Sequence, residues 1–180
     1  MIRLFVGLGL PEDLGERLTG LRGQIPGARW VARENLHMTL RFIGEVDEET
    51  AVDIDAALAR IDAPPFEVAL HGVGHFESRG LVRALWVGVE RDPALDHLQA
   101  RVETACQRSG LAPEGRKFHP HVTLARCRDT RTTRIGGFLA DHGGFRAPAF
   151  PVESFALYSS TLGRGGAVYI RETDYPLGRP

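Results

Sequence analysis

Leu36-His37-Met38-Thr39-Leu40-Arg41-Phe42-Ile43 reads as a β-strand, and the tetrad His-x-Thr-Leu inside it returns once, as His121-Val122-Thr123-Leu124. In a strand, residues i and i+2 share a face. Each copy therefore projects one imidazole and one hydroxyl side by side. Two such pairs facing each other bring together two bases that titrate near neutrality and two neutral hydrogen-bond donors. That is acid/base chemistry around an anion, with no metal and no protein nucleophile required.

Working outward, Ile2 to Leu10 reads as a strand. Pro11, Glu12 and Asp13 open a helix carrying Leu14, Leu18 and Leu21 on one face. Asp47-Glu48-Glu49 starts a second helix after the first motif strand, and Pro64-Pro65 stops it. Phe66 to Phe76 and Leu81 to Glu90 follow as strands, joined by a turn at Glu77-Ser78-Arg79-Gly80. Asp92-Pro93 opens a third helix that runs to about Ser109. The second motif strand spans Pro120 to Cys127, and a short helix is expected from Thr132 to Ala140. Strands from Phe150 to Ser159 and Ala167 to Thr173 flank a turn at Gly163 to Gly166.

The order strand, helix, His-x-Thr strand, helix occurs in both halves. Leu4-Phe5-Val6-Gly7-Leu8 aligns with Leu85-Trp86-Val87-Gly88-Val89. A duplicated unit places the two motif strands around a pseudo-two-fold axis, so that both His-Thr pairs face one cleft. Strands and helices without regular βαβ alternation give an α+β class with mostly antiparallel sheets and outer helices. Residues 1–180 are expected to form a single bilobal domain.

The bulk numbers add exclusions. A formal net charge of −1 provides no global field for nucleic acid. Locally, Arg116 to Arg134 holds six basic side chains and one acidic, around the second motif. Cys106 and Cys127 have no metal-type spacing and make no disulfide framework, which fits a reducing cytoplasm. The N-terminus reads as a buried strand and a helix start rather than a signal peptide, and no apolar run approaches a membrane span.

Histidines on opposite sides of a phosphodiester would serve as acid and base, and the threonine hydroxyls would donate to non-bridging oxygens. A guanidinium would add a planar donor as charge redistributes. Arg126 is the best-placed candidate. Strand parity sets it on the wrong face from His121, so a twist or bulge must re-aim it. His119-Pro120-His121 has metal-ligand spacing, but no Cys or carboxylate nearby completes a shell. No metal and no cofactor are expected. Trp30 reads as core packing, while Phe42 and Phe118 flank the motifs and are candidates for stacking on a base. Gly163-Arg164-Gly165-Gly166 lacks a P-loop lysine and reads as a hairpin turn.

Three segments carry a resemblance: Arg29-Trp30-Val31, Glu34 to Glu45 with its first tetrad, and Phe118-His119-Pro120-His121-Val122-Thr123-Leu124-Ala125-Arg126. They resemble the signature blocks of the 2H phosphoesterase superfamily, above all its RNA 2′,3′-cyclic phosphodiesterases, also described as 2′-5′ RNA ligases. Arg3-Leu4-Phe5-Val6 and the segment Leu157 to Tyr169 extend the likeness over nearly the whole chain. The resemblance implies a bilobal α+β fold with a central cleft. It also implies metal-independent opening of an RNA 2′,3′-cyclic phosphate to a 2′-phosphate, with reversible 2′-5′ joining as a second activity. Its functional positions fall on His37, Thr39, His121, Thr123 and Arg126. Following the family picture, His121 is taken as general base and His37 as general acid; the sequence itself does not distinguish them. The implied partner is RNA with a cyclic phosphate end, and the chain is expected to act as a monomer. The rivals are a small cyclic nucleotide, a 2′-5′ oligonucleotide, or non-catalytic binding of an RNA end.

Overall fold

Strand β1 (Ile2–Gly9) sends its side chains into two different environments. Leu4, Val6 and Leu8 enter the main core, while Phe5 joins a small second cluster with Ala156 and Tyr158. Alternation along the strand therefore gives the sheet one helix-covered face and one open face with its own aromatic patch. The structure, a computed structural model, describes residues 1–178. The last two positions of the expected 1–180 unit lie outside the described residues.

After β1 come α1 (Glu12–Thr19), β2 (Ala28–Trp30), a 3-10 turn (Arg33–Asn35), β3 (His37–Val46) and α2 (Glu48–Ala59). Then follow β4 (Phe66–Val68), β5 (Leu70–Ser78), β6 (Leu81–Val89), α3 (Pro93–Arg108) and β7 (His121–Arg131). A 3-10 turn (Thr132–Arg134), α4 (Gly136–His142), β8 (Phe150–Val152), β9 (Ser154–Gly163) and β10 (Gly166–Pro176) complete the chain. Helix starts follow their capping chemistry: Asp47 accepts from Thr50 N at 2.7 Å and Asp92 from Ala94 N at 2.8 Å. The helices bury Leu14 and Leu18, Ile54 and Leu58, and Leu95, Leu98 and Val102 against one face of the sheet. Each such side chain stabilises the fold by about 1.5–3 kcal/mol.

The main sheet runs β10-β9-β1-β3-β7-β6-β5 with antiparallel neighbours, and β4 pairs with β8 in a separate ribbon. The class is α+β, as expected. The motif strands β3 and β7 meet at its centre, where their pairing consists of Met38 opposite Val122. Both residues are fully buried and are the variable positions of the two tetrads. On one side of this seam β2 takes over as the partner of β7, with Ala28, Arg29 and Trp30 opposite Cys127, Arg126 and Ala125.

Four expectations need correction. The expected strands Phe66–Phe76 and Phe150–Ser159 each break in two, at Ala69 and at Glu153, and their first pieces pair with each other. Pro151 explains part of this, because a residue without an N–H is confined to a sheet edge. The expected helix Thr132–Ala140 is a 3-10 turn followed by α4, separated at Ile135, whose φ of −110° and ψ of 1° are not helical. The internal repeat is out of register by two residues. Gly9 lies opposite His37 and Gly88 opposite His121, so Gly9, not Gly7, is the counterpart of Gly88.

Candidate active site

Because Met38 and Val122 point into the core, their neighbours on β3 and β7 point out of the open face. His37, Thr39, His121 and Thr123 all stand there, half-buried. Antiparallel register around Met38 and Val122 sets each histidine near the threonine of the other copy. The structure thus brings both His-Thr pairs to one seam.

The two imidazoles are held alike. His37 Nδ1 lies 2.7 Å from the carbonyl of Asn35, and His121 Nδ1 lies 2.6 Å from the carbonyl of His119. A carbonyl only accepts, so Nδ1 carries the hydrogen in both rings and Nε2 is the atom left for chemistry. In the neutral state Thr39 donates to His37 Nε2 at 2.9 Å. No side-chain hydrogen bond is made by Thr123 among the described residues. Burial pulls both imidazoles below their ordinary value. The upstream carbonyls oppose that shift, while nearby positive charge adds to it: Arg126 and His121 for His37, His119 and Arg126 for His121.

Arg126 acts on both histidines because β7 is bulged. Trp86 pairs with Thr123 and Leu85 with Ala125, so Leu124 is an extra residue. One inserted residue reverses the parity of everything after it. Arg126 is thereby returned to the face of His121 and Thr123, which removes the objection from simple alternation. Strand β3 does the same: Gly7 pairs with Thr39 and Val6 with Arg41, leaving Leu40 unpaired. The leucine of both tetrads is thus the bulge residue. In β3 the position corresponding to Arg126 is Phe42, exposed by 42% with Arg3 over its ring at 5.3 Å. Phe118 is placed differently: it packs against the main core, under the guanidinium of Arg91. Trp30 packs against that core too. His119 lies beside His121, with ring centres 5.8 Å apart.

Sequence reasoning missed the aromatic walls. His37 packs against Phe5 at 4.7 Å and edge-on to Tyr169 at 5.3 Å, and Phe5 stacks on Tyr158. His121 meets Phe76 edge-on at 4.9 Å and lies 6.2 Å from Trp86. One signal was available: Phe5 alternates out of phase with Leu4, Val6 and Leu8. A cavity of about 510 Å³ opens beside His37, lined by Gly9, Asn35, Tyr158, Tyr169 and Arg171 among others. No group of three or more His, Cys, Asp or Glu able to hold a metal ion occurs among the described residues, and no described helix is long and apolar enough to cross a membrane.

A family model described as the 2′-5′ RNA ligase superfamily matches residues 10–164. An RNA 2′,3′-cyclic phosphodiesterase of Aeropyrum pernix is 37% identical over 159 residues, which is 85% of this chain and 90% of that protein. One of Escherichia coli is 32% identical over 171 residues, 93% of this chain and 92% of its own length. The crystal structure of E. coli LigT complexed with 3′-AMP superposes with a TM-score of 0.83 at 31% identity, over 99% of both chains. The MHV ns2 PDE domain, 14% identical with a TM-score of 0.58, shares the fold alone. Family, topology and twin motif agree, and the chain belongs to the 2′-5′ RNA ligase superfamily.

Proposed function

We propose that this protein is an RNA 2′,3′-cyclic phosphodiesterase that converts the cyclic end to a 2′-phosphate without a metal ion. The observation that carries the reading is the pair of Nε2 atoms presented across one seam, each oriented by a carbonyl two residues upstream. His121 serves as general base: it takes a proton from a water as the water oxygen attacks phosphorus. The P–O3′ bond breaks, and His37 as general acid gives its proton to the departing 3′-oxygen. The products are a 2′-phosphomonoester and a 3′-hydroxyl; proton exchange with solvent resets both rings. Support for the acid role is that Thr39 Oγ1, 2.9 Å from His37 Nε2, accepts from that nitrogen once the ring is protonated. Thr39, Thr123 and Arg126 bind the non-bridging oxygens, where preorganised donors stabilise developing charge. Phe42 stands where a base can stack, and Phe118, under Arg91, is the weaker of the two stacking candidates. The reading takes residues 1–180 as one bilobal unit, a cytoplasmic monomer whose partner is an RNA end. Joining of 2′-5′ RNA is the same displacement with a 5′-hydroxyl in place of the water: the hydroxyl proton goes to His121, its oxygen bonds to phosphorus, and the P–O3′ bond breaks with the proton of His37 going to the 3′-oxygen.

The test is incubation with a short RNA ending in a 2′,3′-cyclic phosphate, with and without EDTA, followed by identification of the product isomer. The expected product is the 2′-phosphate at the same rate in both. A 3′-phosphate would overturn the leaving-group assignment, chelator sensitivity the metal-free chemistry, and no product the RNA-end substrate. To separate acid from base, a cyclic substrate with sulfur at the bridging 3′ position is used, because a thiolate leaves without a proton. His37→Ala should be rescued on it and His121→Ala should not.

A further inference from the structure

The two carbonyls that orient the histidines are restrained by different means. His119 is followed by Pro120, which confines His119 to an extended backbone and so stiffens the peptide that carries its carbonyl. Asn35 is followed by Leu36, whose N–H donates to the Arg33 carbonyl at 3.2 Å and closes the 3-10 turn. A proline at that position would lose this bond, so the Asn35 carbonyl lacks the restraint that its counterpart has.

The side chain of Asn35 supplies another. Its Nδ2 donates to the carbonyl of Ala167 at 2.8 Å, across 132 residues of sequence. Ala167 lies on β10, as does Tyr169, whose ring meets His37 edge-on at 5.3 Å. Asn35 therefore works at both ends. Its carbonyl holds Nδ1 of His37, and its amide ties the turn before β3 to the strand that walls the same imidazole. The partner at one ring nitrogen decides which nitrogen carries the hydrogen and how the ring is turned. Whatever fixes that carbonyl fixes the acid.

We propose that Asn35 is a positioning residue for the general acid: its side-chain bond to β10 holds the carbonyl that aims His37 Nε2 at the departing 3′-oxygen. This inference rests on the phosphodiesterase reading above. Asn35 acts through His37 alone, so its loss is felt only where the leaving oxygen needs a proton.

Asn35→Leu keeps the branched shape and removes the donor. On cyclic-phosphate RNA it should lower kcat about tenfold, the value of one net hydrogen bond, with KM little changed. On the substrate with sulfur at the bridging 3′ position its rate should equal that of wild type, because a thiolate leaves without a proton. A merely structural role would depress both. Nitrogen NMR of the neutral rings gives a second readout: His37 should pass from the Nδ1–H tautomer to a mixture, while His121 stays as it is. Asn35→Ala should give the same pattern, so the test does not depend on one variant folding. Asn35→Gln, which keeps the amide, should recover part of kcat. An equal loss on the two substrates, or an unchanged His37 tautomer in Asn35→Leu and Asn35→Ala, overturns the inference while the phosphodiesterase reading stands. A wild type inactive on cyclic-phosphate RNA overturns that reading and the inference with it.

Discussion

Thr39 and Thr123 occupy equivalent positions but are in different states: one hydroxyl already holds a histidine, and the other makes no side-chain hydrogen bond among the described residues. Thr123→Val should therefore leave the folded protein intact and remove one donor from the bound phosphate. About 1–1.5 kcal/mol of lost hydrogen bonding corresponds to a roughly tenfold lower kcat/KM, measurable in steady-state kinetics. The histidines set the pH response. Both are depressed below 6.5, first of all by burial. The productive state has one protonated and one neutral ring, so kcat/KM should be bell-shaped with its maximum below pH 6.5. A maximum on the alkaline side would contradict the depressed values. Stability follows the same sign. Below pH 6.5 the unfolded chain takes up protons that the folded histidines refuse, so stability falls between 6.5 and the lower folded values. Melting curves across this range should show the decline, smaller in His37→Asn. The twin His-Thr sets were legible in the sequence because they are short and repeated. The carbonyls that fix their tautomers were not, since they are backbone groups that any residue supplies.

At the scale of the element, the decisive device is the bulge at Leu40 and Leu124. Period-two reasoning placed Arg126 on the wrong face because it counts residues, whereas the ladder counts hydrogen-bonded pairs. A leucine in an apolar run gives no sign that it is unpaired. Another element-level constraint is visible at Gly74, on β5 opposite Trp86. A Cβ there would lie 2.3 Å from the Trp86 ring, which therefore rests directly on the strand backbone. Gly74→Ala should displace that ring, costing about 1–3 kcal/mol as for other overpacked sites. Denaturant unfolding would measure the loss. Trp86 fluorescence would report the displacement, and reduced turnover would follow from the disturbed wall beside His121.

For the whole molecule, the two motif strands pair at Met38 and Val122, β2 continues the pairing along β7, and the helices leave the opposite face of the sheet open. The sequence made the α+β class and the duplication legible, because amphipathic helices and alternating strands repeat in the same order. It misjudged the register of the repeat by two residues, since short apolar strings such as Leu-Phe-Val-Gly-Leu align almost as well when shifted. The β4–β8 ribbon was hidden for a related reason: apolar runs do not say which partner a strand takes.

The central claim is that one histidine from each half forms a single acid/base site across the seam. Groups that act as a unit give non-additive losses, because removing either one already disables the machine. The measurement is kcat on cyclic-phosphate RNA for wild type, His37→Ala, His121→Ala and the double variant. The account predicts that each single variant falls to a common floor and that the double variant falls no further. Losses that multiply in the double variant, or near wild-type turnover in either single one, would contradict it.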